Sequence, residues 1–124
     1  MARLFRKEQL PHYHSVRDTR DRLDLVKEEV SLNAKEIQAD RIIYHPGDTA
    51  AAHYHTGSHH LFYVLEGEGV LFEDDQPHQL YSGMVAVVAP GEIHWFENPA
   101  VQNFSFVEFW APPPEETIWV TTDQ

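Results

Sequence analysis

The sequence is a succession of short apolar stretches separated by turns that contain glycine or proline. Residues 103–110, "NFSFVEFW", alternate between apolar and polar side chains, which is typical of a strand with one buried face. The other strand candidates are "DRIIY", "HHLFYVL", "GVLFED", "QPHQLY", "MVAVV" and "EIHWFEN". Because these segments recur at close spacing with turn residues between them, they predict a β-sandwich or barrel.

The two ends of the chain are less regular than its middle. The stretch from Leu23 to Leu32 fits helical or strand spacing, and we predict a strand because edge strands tolerate charge. Residues 1–20 are predicted to form a polar arm. Residues 111–124, which contain three consecutive prolines, are predicted to form an extended tail with a β-prone stretch at Ile118–Thr122. The length of 124 residues predicts one domain.

The charge balance restricts the class of partner. Twenty acidic against nine basic residues give a formal net charge of −11. Nucleic acids and anionic membrane surfaces are bound by basic faces, so we expect neither as a partner. No apolar run is as long as a membrane span and no secretory signal is recognisable, so we expect a cytoplasmic protein.

Histidine is concentrated in one segment, "HYHTGSHH", at residues 53–60 of a chain without cysteine. Imidazole is the commonest protein ligand of divalent transition metals. Side chains two residues apart in a strand point to the same side, so His53 and His55 could hold adjacent positions on one metal. Four further histidines lack this setting and are interpreted as solvated: His12, His14, His45 and His78.

The next two candidates cannot be separated by periodicity. His59 and His60 begin one strand and point to opposite sides, and the residues that follow are apolar in both phases. His94 begins a strand after the Pro90-Gly91 turn. Taken alone, His94 would be interpreted as a hydrogen-bonded core histidine.

Residues 47–67, "GDTAAAHYHTGSHHLFYVLEG", resemble the first motif of the cupin superfamily. That motif has Gly, five residues, His-x-His, three or four residues, Glu, six residues and Gly. Gly47, His53, His55 and Gly67 match it, and the count of six residues back from Gly67 reaches His60, where the motif has Glu.

Residues 83–98, "GMVAVVAPGEIHWFEN", resemble the second cupin motif, which has Gly, five residues, Pro-x-Gly, two residues, His, three residues and Asn. The matching residues are Gly83, Gly91, His94 and Asn98, and the proline is displaced by one position to Pro90. Two motifs in register, 15 residues apart, make the match specific. The resemblance covers at least residues 40–110, which would form the core of the domain.

The resemblance implies an all-β fold, the double-stranded β-helix or jelly-roll β-sandwich of cupin barrels. It also implies a bound divalent transition metal, which could be Fe, Mn, Ni, Cu or Zn. The implied ligands are His53, His55, His60 and His94. The residues expected to line a substrate pocket beside them are Phe62, Val64, Phe96 and Phe106.

Histidine in place of the motif's glutamate changes the charge of such a centre. Three neutral imidazoles and a carboxylate leave a divalent ion at about +1, whereas four neutral imidazoles leave it at about +2. We therefore expect a small bidentate or enolisable substrate that binds as its anion. No catalytic acid or base is identifiable, since Glu66, Glu92 and Glu97 are interpreted as surface residues.

Without a fixed base, a substrate that loses its proton on the metal is favoured, and a dioxygenase is the leading prediction. The alternatives are a non-redox Lewis-acid isomerase, cyclase or lyase, and a binding module for a small ligand without turnover.

One outer face of the predicted barrel suggests a partner. If His60 points inward, Leu61, Tyr63 and Leu65 point outward and form an apolar patch. Together with Ile118 and Trp119 of the tail, this patch predicts a homodimer, with the tail packed on the partner or on the outer sheet.

Overall fold

The computed structural model describes residues 4, 6–9, 12–14, 20–25, 38–114 and 116–120. Its regular structure in these ranges is one 3₁₀ turn, Lys7–Gln9, and eleven strands. The strands are β1 (His12–His14), β2 (Asp21–Asp24), β3 (Gln38–Tyr44), β4 (His53–His55), β5 (His59–Glu66), β6 (Glu68–Glu73), β7 (Gln76–Tyr81), β8 (Val85–Val88), β9 (His94–Glu97), β10 (Phe104–Ala111) and β11 (Thr117–Trp119). No helix within the described ranges is long and apolar enough to cross a membrane.

The strands form two antiparallel sheets, and the predicted jelly-roll fold is confirmed. One sheet has six strands in the order β1-β2-β3-β10-β5-β8. The other has five strands in the order β11-β4-β9-β6-β7. Sequential neighbours such as β5 and β6 lie in different sheets, so the chain crosses repeatedly between the two faces of a closed interior.

Alternation along the strands fills that interior. In β5, for example, the side chains alternate between exposed and buried from His59 to Val64. The largest apolar residues of the inward phase form one cluster with almost no exposed surface: Ile42, Tyr44, Phe62, Val64, Phe96, Phe104 and Phe106. Burial of this much aromatic and aliphatic surface is the main source of the fold's stability.

Two tight connections between successive strands depend on a positive φ. Gly67 joins β5 to β6 with a φ of +75°, and a Cβ atom there would collide with the carbonyl oxygen of Asn103. Asp74 and Asp75 join β6 to β7 with φ of 47° and 66°. Positive φ at both central residues is the geometry of a type I′ hairpin turn, whose twist matches that of the flanking strands.

The ends of the chain add strands to the sheet edges. β2 pairs with β3 and covers the beginning of the stretch predicted as a strand from Leu23, while residues 26–32 lie outside the described residues. Within the predicted polar arm, β1 pairs with β2. In the tail, β11 pairs with β4, so Ile118 and Trp119 belong to the five-stranded sheet, whereas Leu61 lies on the six-stranded sheet.

Candidate metal centre

Strand β4 supplies the first two imidazoles of the candidate centre. His53 and His55 both point into the barrel, are each 5% exposed, and have ring centroids 5.0 Å apart. The Tyr54 side chain between them is only partly buried. The His-x-His pattern therefore places two rings side by side, as expected for alternate residues of a strand.

Strand β5 supplies the third imidazole, at His60. His60 is 2% exposed, whereas His59 is exposed on the outer surface. The His60 ring centroid lies 4.5 Å from that of His55. His60 therefore points into the barrel and His59 away from it, while the role of His60 as a metal ligand stays a prediction.

Strand β9 supplies the fourth imidazole from the neighbouring position in the five-stranded sheet. His94 pairs with His53 across the β4–β9 ladder and is 1% exposed. Its ring centroid lies 4.4 Å from that of His53, 5.4 Å from that of His60 and 5.9 Å from that of His55. Ring nitrogens of His53, His55 and His94 all lie within 4.8 Å of one another.

Backbone carbonyls fix the orientation of three of these rings. The Nδ1 atoms of His53, His55 and His94 lie 2.9, 3.3 and 3.0 Å from the carbonyl oxygens of Ala51, Glu116 and Glu92. Because a carbonyl only accepts, each Nδ1 carries the proton and each Nε2 keeps its lone pair. Histidine ligands of protein metal sites are held in this way.

The hydrogen-bonding state of the ring nitrogens that point into the barrel shows whether the histidines fit a metal ion. Within the described part of the chain, the Nε2 atoms of His55 and His94 and both ring nitrogens of His60 are buried without a hydrogen-bond partner. Leaving a buried polar group unsatisfied costs about 1–3 kcal/mol. A divalent cation held by His53, His55 and His94, whose ring nitrogens lie within 4.8 Å of one another, would satisfy the Nε2 atoms of His55 and His94, so these three residues fit a metal. A fourth ligand at His60 stays a prediction.

The electrostatics of the rings favour the same conclusion. Burial, reinforced by the neighbouring His94, lowers the pKa of His53 to about 3. Burial also lowers the pKa of His94 to about 4 and depresses the pKa values of His55 and His60. All four rings are consequently neutral near pH 7, and neutral imidazole is the form that binds metals.

A cavity of about 230 Å³ opens beside these imidazoles. Its walls come from both sheets, the segment before β2 and the tail. The lining residues are Arg20, Arg22, Gln38, His53, His55, Glu108, Trp110, Pro114, Thr117 and Trp119. The Trp119 ring lies 5.1 Å from that of His53, so the tail strand closes one side of the cavity.

The residues expected to line this pocket lie elsewhere. Phe62, Val64, Phe96 and Phe106 are at most 2% exposed and are absent from the cavity wall. Phe96 packs its ring 4.9 Å from that of Phe62 and 4.6 Å from that of Phe106. These side chains share the inward phase of the histidines, but they lie deeper along the barrel, where aromatic packing leaves no open space. The pocket assignment is corrected accordingly.

The charged part of the wall, above all Glu108, was not predicted from the sequence. In "NFSFVEFW" this glutamate occupies the same phase as Phe104, Phe106 and Trp110. Asp40 occupies the phase of Ile42 and is fully buried. A carboxylate in the apolar phase of a strand is the signal that could have identified both residues.

The two carboxyls have different surroundings. Asp40 lies 3.9 Å from the Arg22 guanidinium and accepts a hydrogen bond of 3.3 Å from Gln38 Nε2. Burial and the adjacent Asp40 raise the pKa of Glu108 to about 8, against the opposing effect of Arg20 and Arg22. The protonated form of Glu108 is therefore favoured near neutral pH.

The remaining histidines lie outside the centre. His45 lies 3.1 Å from an oxygen of Asp48 and 3.4 Å from one of Asp21, which is also 3.6 Å from His12. His78 is exposed on β7. The His14 side chain lies outside the described residues.

The acidic residues interpreted as surface groups have structural contacts. Glu66, about half exposed, accepts a hydrogen bond of 3.1 Å from Ser105. Glu92 is partly buried and accepts a hydrogen bond from the backbone amide of Ala89.

Asn98, the last residue of the second motif, also has a structural role. Its side-chain amide donates to the carbonyl oxygens of Tyr44 and Gln102, at 3.0 and 2.8 Å, and its oxygen accepts from the amide of Ala100. These bonds tie the end of β9 to the end of β3.

Comparison with protein families gives one match, to the cupin domain, over residues 40–110. Among curated proteins, the oxalate-binding protein of Thermotoga maritima is 31% identical over 62 residues. The match spans 50% of this chain and 51% of that protein, so the chain matches only about half the length of its curated relative.

Solved structures share the fold at low sequence identity. A predicted oxalate decarboxylase from Thermotoga maritima has a TM-score of 0.75 at 22% identity, covering 90% of this chain and all of that one. A polyketide cyclase from Streptomyces resistomycificus has a TM-score of 0.84 at 17% identity, covering all of this chain and 89% of that one. A sugar phosphate isomerase from Silicibacter pomeroyi has a TM-score of 0.72 at 24% identity, covering 84% of this chain and 67% of that one.

Proposed function

This chain belongs to the cupin domain family, and from that premise we propose that it is a metal-dependent enzyme that catalyses non-redox proton transfer on a small anionic substrate. The reaction class is that of an isomerase, cyclase or lyase. The observation that carries the proposal is the convergence of four buried imidazoles, three of which, His55, His60 and His94, have inward nitrogens without a hydrogen-bond partner among the described residues.

The four histidines would hold one divalent transition metal, which could be Fe, Mn, Ni, Cu or Zn. When bound, the ion would act as a Lewis acid toward a carboxylate or enolate oxygen. His53, His55 and His94 would bind it through Nε2, because their Nδ1 atoms are engaged by backbone carbonyls.

The cavity supports a small and negatively charged substrate. A volume of about 230 Å³ is below the range of about 300–1,000 Å³ typical of pockets for drug-sized ligands. Arg20 and Arg22 line it beside the centre, and four neutral imidazoles would not reduce the charge of a bound cation. A carboxylate, enolate or similar anion complements this combination of charges.

The dioxygenase prediction depended on the lack of a fixed acid or base near the metal. Glu108 lines the cavity and supplies such a group, which favours proton transfer over oxygen chemistry. The structural relatives named as a predicted oxalate decarboxylase, a polyketide cyclase and a sugar phosphate isomerase support the same direction.

A dioxygenase is the second candidate, and the donor set is what favours it. Four neutral imidazoles accept redox-active Fe or Cu as well as Zn, and a redox-active ion held by them would supply oxygen chemistry. The difference between the two candidates is therefore whether turnover needs oxygen and a redox-active metal.

The experiment uses zinc-loaded and iron-loaded protein in D2O, with and without air. Small 2-oxo acids, 2-hydroxy acids and 1,3-diketones are followed by NMR for product and for incorporation of solvent deuterium. We expect the zinc-loaded protein to incorporate deuterium without oxygen. Turnover by the iron form alone, coupled to oxygen consumption, would support the dioxygenase, and saturable binding without any exchange or product would identify a binding module.

The matched controls for this experiment are two histidine variants of β5. His59→Ala, on the outer surface, should retain turnover, and His60→Ala, inside the centre, should lose it. Equal loss in both variants would contradict the assignment of the centre.

A further inference from the structure

Two buried carboxyls face each other across neighbouring strands above the aromatic core. Glu108 of β10 and Asp40 of β3 are directly opposite in the antiparallel register. Their exposures are 3% and 0%. Residues in such positions have Cβ atoms about 4.5–5.5 Å apart, so two ionised carboxylates would repel each other strongly in this water-poor interior.

The charged neighbours decide which carboxyl keeps a proton. The Arg22 guanidinium and the Gln38 amide contact Asp40 and stabilise its anion. Among the described residues, the Glu108 carboxyl makes no hydrogen bond or ion pair, and its partner on the other side, in β5, is the uncharged Phe62. Arg20 is the remaining charge in its surroundings, and its effect on Glu108 is smaller than those of burial and of Asp40.

Glu108 also has access to the cavity, and this separates it from an ordinary buried acid. It forms part of the cavity wall together with His53, His55 and Trp110. The next inward residue of β10 is Trp110, which pairs with His60, and the preceding inward residue is Phe106 of the core. Glu108 therefore lies at the boundary between the imidazoles and the aromatic residues, facing any molecule bound in the cavity.

We propose that Glu108 is a catalytic residue that gives a proton to the substrate in the cavity and takes one back, and that Asp40 is the positioning residue that keeps Glu108 protonated between turnovers. This role rests on the proposed function of the centre. Pairs of carboxyls with unequal surroundings are a general means by which proteins keep one acid protonated near neutral pH.

The proton balance of the step is simple. The O–H bond of Glu108 breaks, and its proton forms a bond with the substrate atom that carries the new electron pair. In an isomerisation or cyclisation, the Glu108 carboxylate recovers a proton from another position of the substrate. In a lyase reaction that releases a neutral fragment such as CO2, it recovers a proton from solvent through the cavity.

The first test measures the protonation state in metal-free protein by infrared spectroscopy. We expect the C=O band of a carboxylic acid at pH 6, lost as the pH rises with a midpoint near the Glu108 pKa of about 8. The component with a midpoint near 8 should be absent from Glu108→Gln, which should keep the acid band of Glu73, whose pKa is raised to about 7 by its hydrogen bond with Glu92. In Asp40→Asn the Glu108 component should disappear at lower pH because the repelling charge is gone. Glu66→Gln, which alters a half-exposed carboxyl, should leave the band unchanged.

The second test compares Glu108→Gln with wild type in metal content and in deuterium exchange. Glutamine matches glutamate in size but holds no transferable acid proton, so we expect unchanged metal content and a loss of exchange of about 10²–10⁴-fold. The wild-type infrared band provides a test that does not depend on whether the variant folds.

The outcomes separate this role from the proposed function. Turnover without the carboxylic acid band, or full exchange by Glu108→Gln, would overturn the role of Glu108 and leave the proposed function in place. A wild-type protein that shows the band but no turnover on any substrate would overturn the proposed function, and Glu108 would then be a structural acid.

Discussion

The interior of this barrel has two halves built by the same strands. In the closed half, aromatic and aliphatic rings pack without a gap, as Phe62, Phe96 and Phe106 do. In the open half, the inward positions are polar and include His60, Glu108 and the other imidazoles. The strands alternate in the same way in both halves. What differs along the barrel axis is the type of side chain that points inward, which is apolar in the closed half and polar in the open half. The closed half supplies stability, and the open half holds polar groups whose burial is unfavourable unless they bind something.

The largest expected effect is in the closed half. Phe106→Ala removes a fully buried ring from the aromatic cluster and should lower the free energy of unfolding by about 3–5 kcal/mol. Urea denaturation of the metal-free protein measures this. A loss below about 1 kcal/mol would show that the cluster is not the source of stability assigned to it.

A matched substitution in the open half should behave differently. His60→Leu replaces a buried ring, both of whose nitrogens lack a partner in the described residues, with an apolar side chain of similar size. Removing an unsatisfied polar group can be neutral or stabilising, so we expect the metal-free variant to be as stable as wild type or more stable. A loss as large as that of Phe106→Ala would mean that the two halves do not differ in this way.

Metal binding should make the wild-type protein more stable than His60→Leu. Zinc at 100 times its dissociation constant should stabilise the wild-type fold by about 2.7 kcal/mol, because the ion binds the folded chain. His60→Leu should show little or none of this stabilisation. Thermal denaturation with and without zinc measures the difference, and an equal response of the two proteins would remove His60 from the centre.

The two kinds of polar group should also give stability opposite pH dependences. His53 and His94 have folded pKa values of about 3 and 4, below the unfolded value of 6.5, so the unfolded chain binds more protons between these limits. Unfolding free energy in the metal-free protein should therefore fall as the pH drops below about 6.5, by about 1.4 kcal/mol per pH unit for each histidine.

Glu108 gives the free energy of unfolding the opposite pH dependence. Its folded pKa of about 8 is above the unfolded value of 4.5, so the folded chain binds more protons and stability falls as the pH rises toward 8. Glu108→Gln should abolish this alkaline loss and leave the acid loss unchanged. Urea denaturation at a series of pH values measures both limbs, and a loss of stability between pH 7 and 8, above the Glu73 pKa of about 7, that persists in the variant would refute the assignment.

The smallest expected effect is on the outside of the barrel. Leu61 and Tyr63 of β5 pair with Val87 and Val85 of the edge strand β8, and all four are between 38% and 58% exposed. We propose that a second copy of the chain covers this apolar face. Tyr63→Glu should convert a dimer to a monomer in size-exclusion chromatography with little change in metal content. A wild-type protein that elutes as a monomer would contradict the proposal.

Particular residues show how much of the fold and of the candidate centre could be predicted from the sequence. Alternation predicted most strands and the inward phase of β10, and the first motif implied the inward direction of His60 and the outward direction of His59. Alternation gives the face of a strand but not the depth along the barrel, so Phe62 and Phe96 were expected at a pocket and lie in the core. Arg20 and Trp119 reach the cavity only through pairing of the chain ends with distant strands, which local sequence does not encode.

The most direct test of the account is elemental analysis of protein purified without a histidine tag, for wild type, His60→Ala and His59→Ala. We predict about one equivalent of a divalent transition metal per chain in wild type and in His59→Ala, and almost none in His60→Ala. Wild-type protein that takes up no metal, or metal kept by His60→Ala and lost by His59→Ala, would contradict the four-histidine centre.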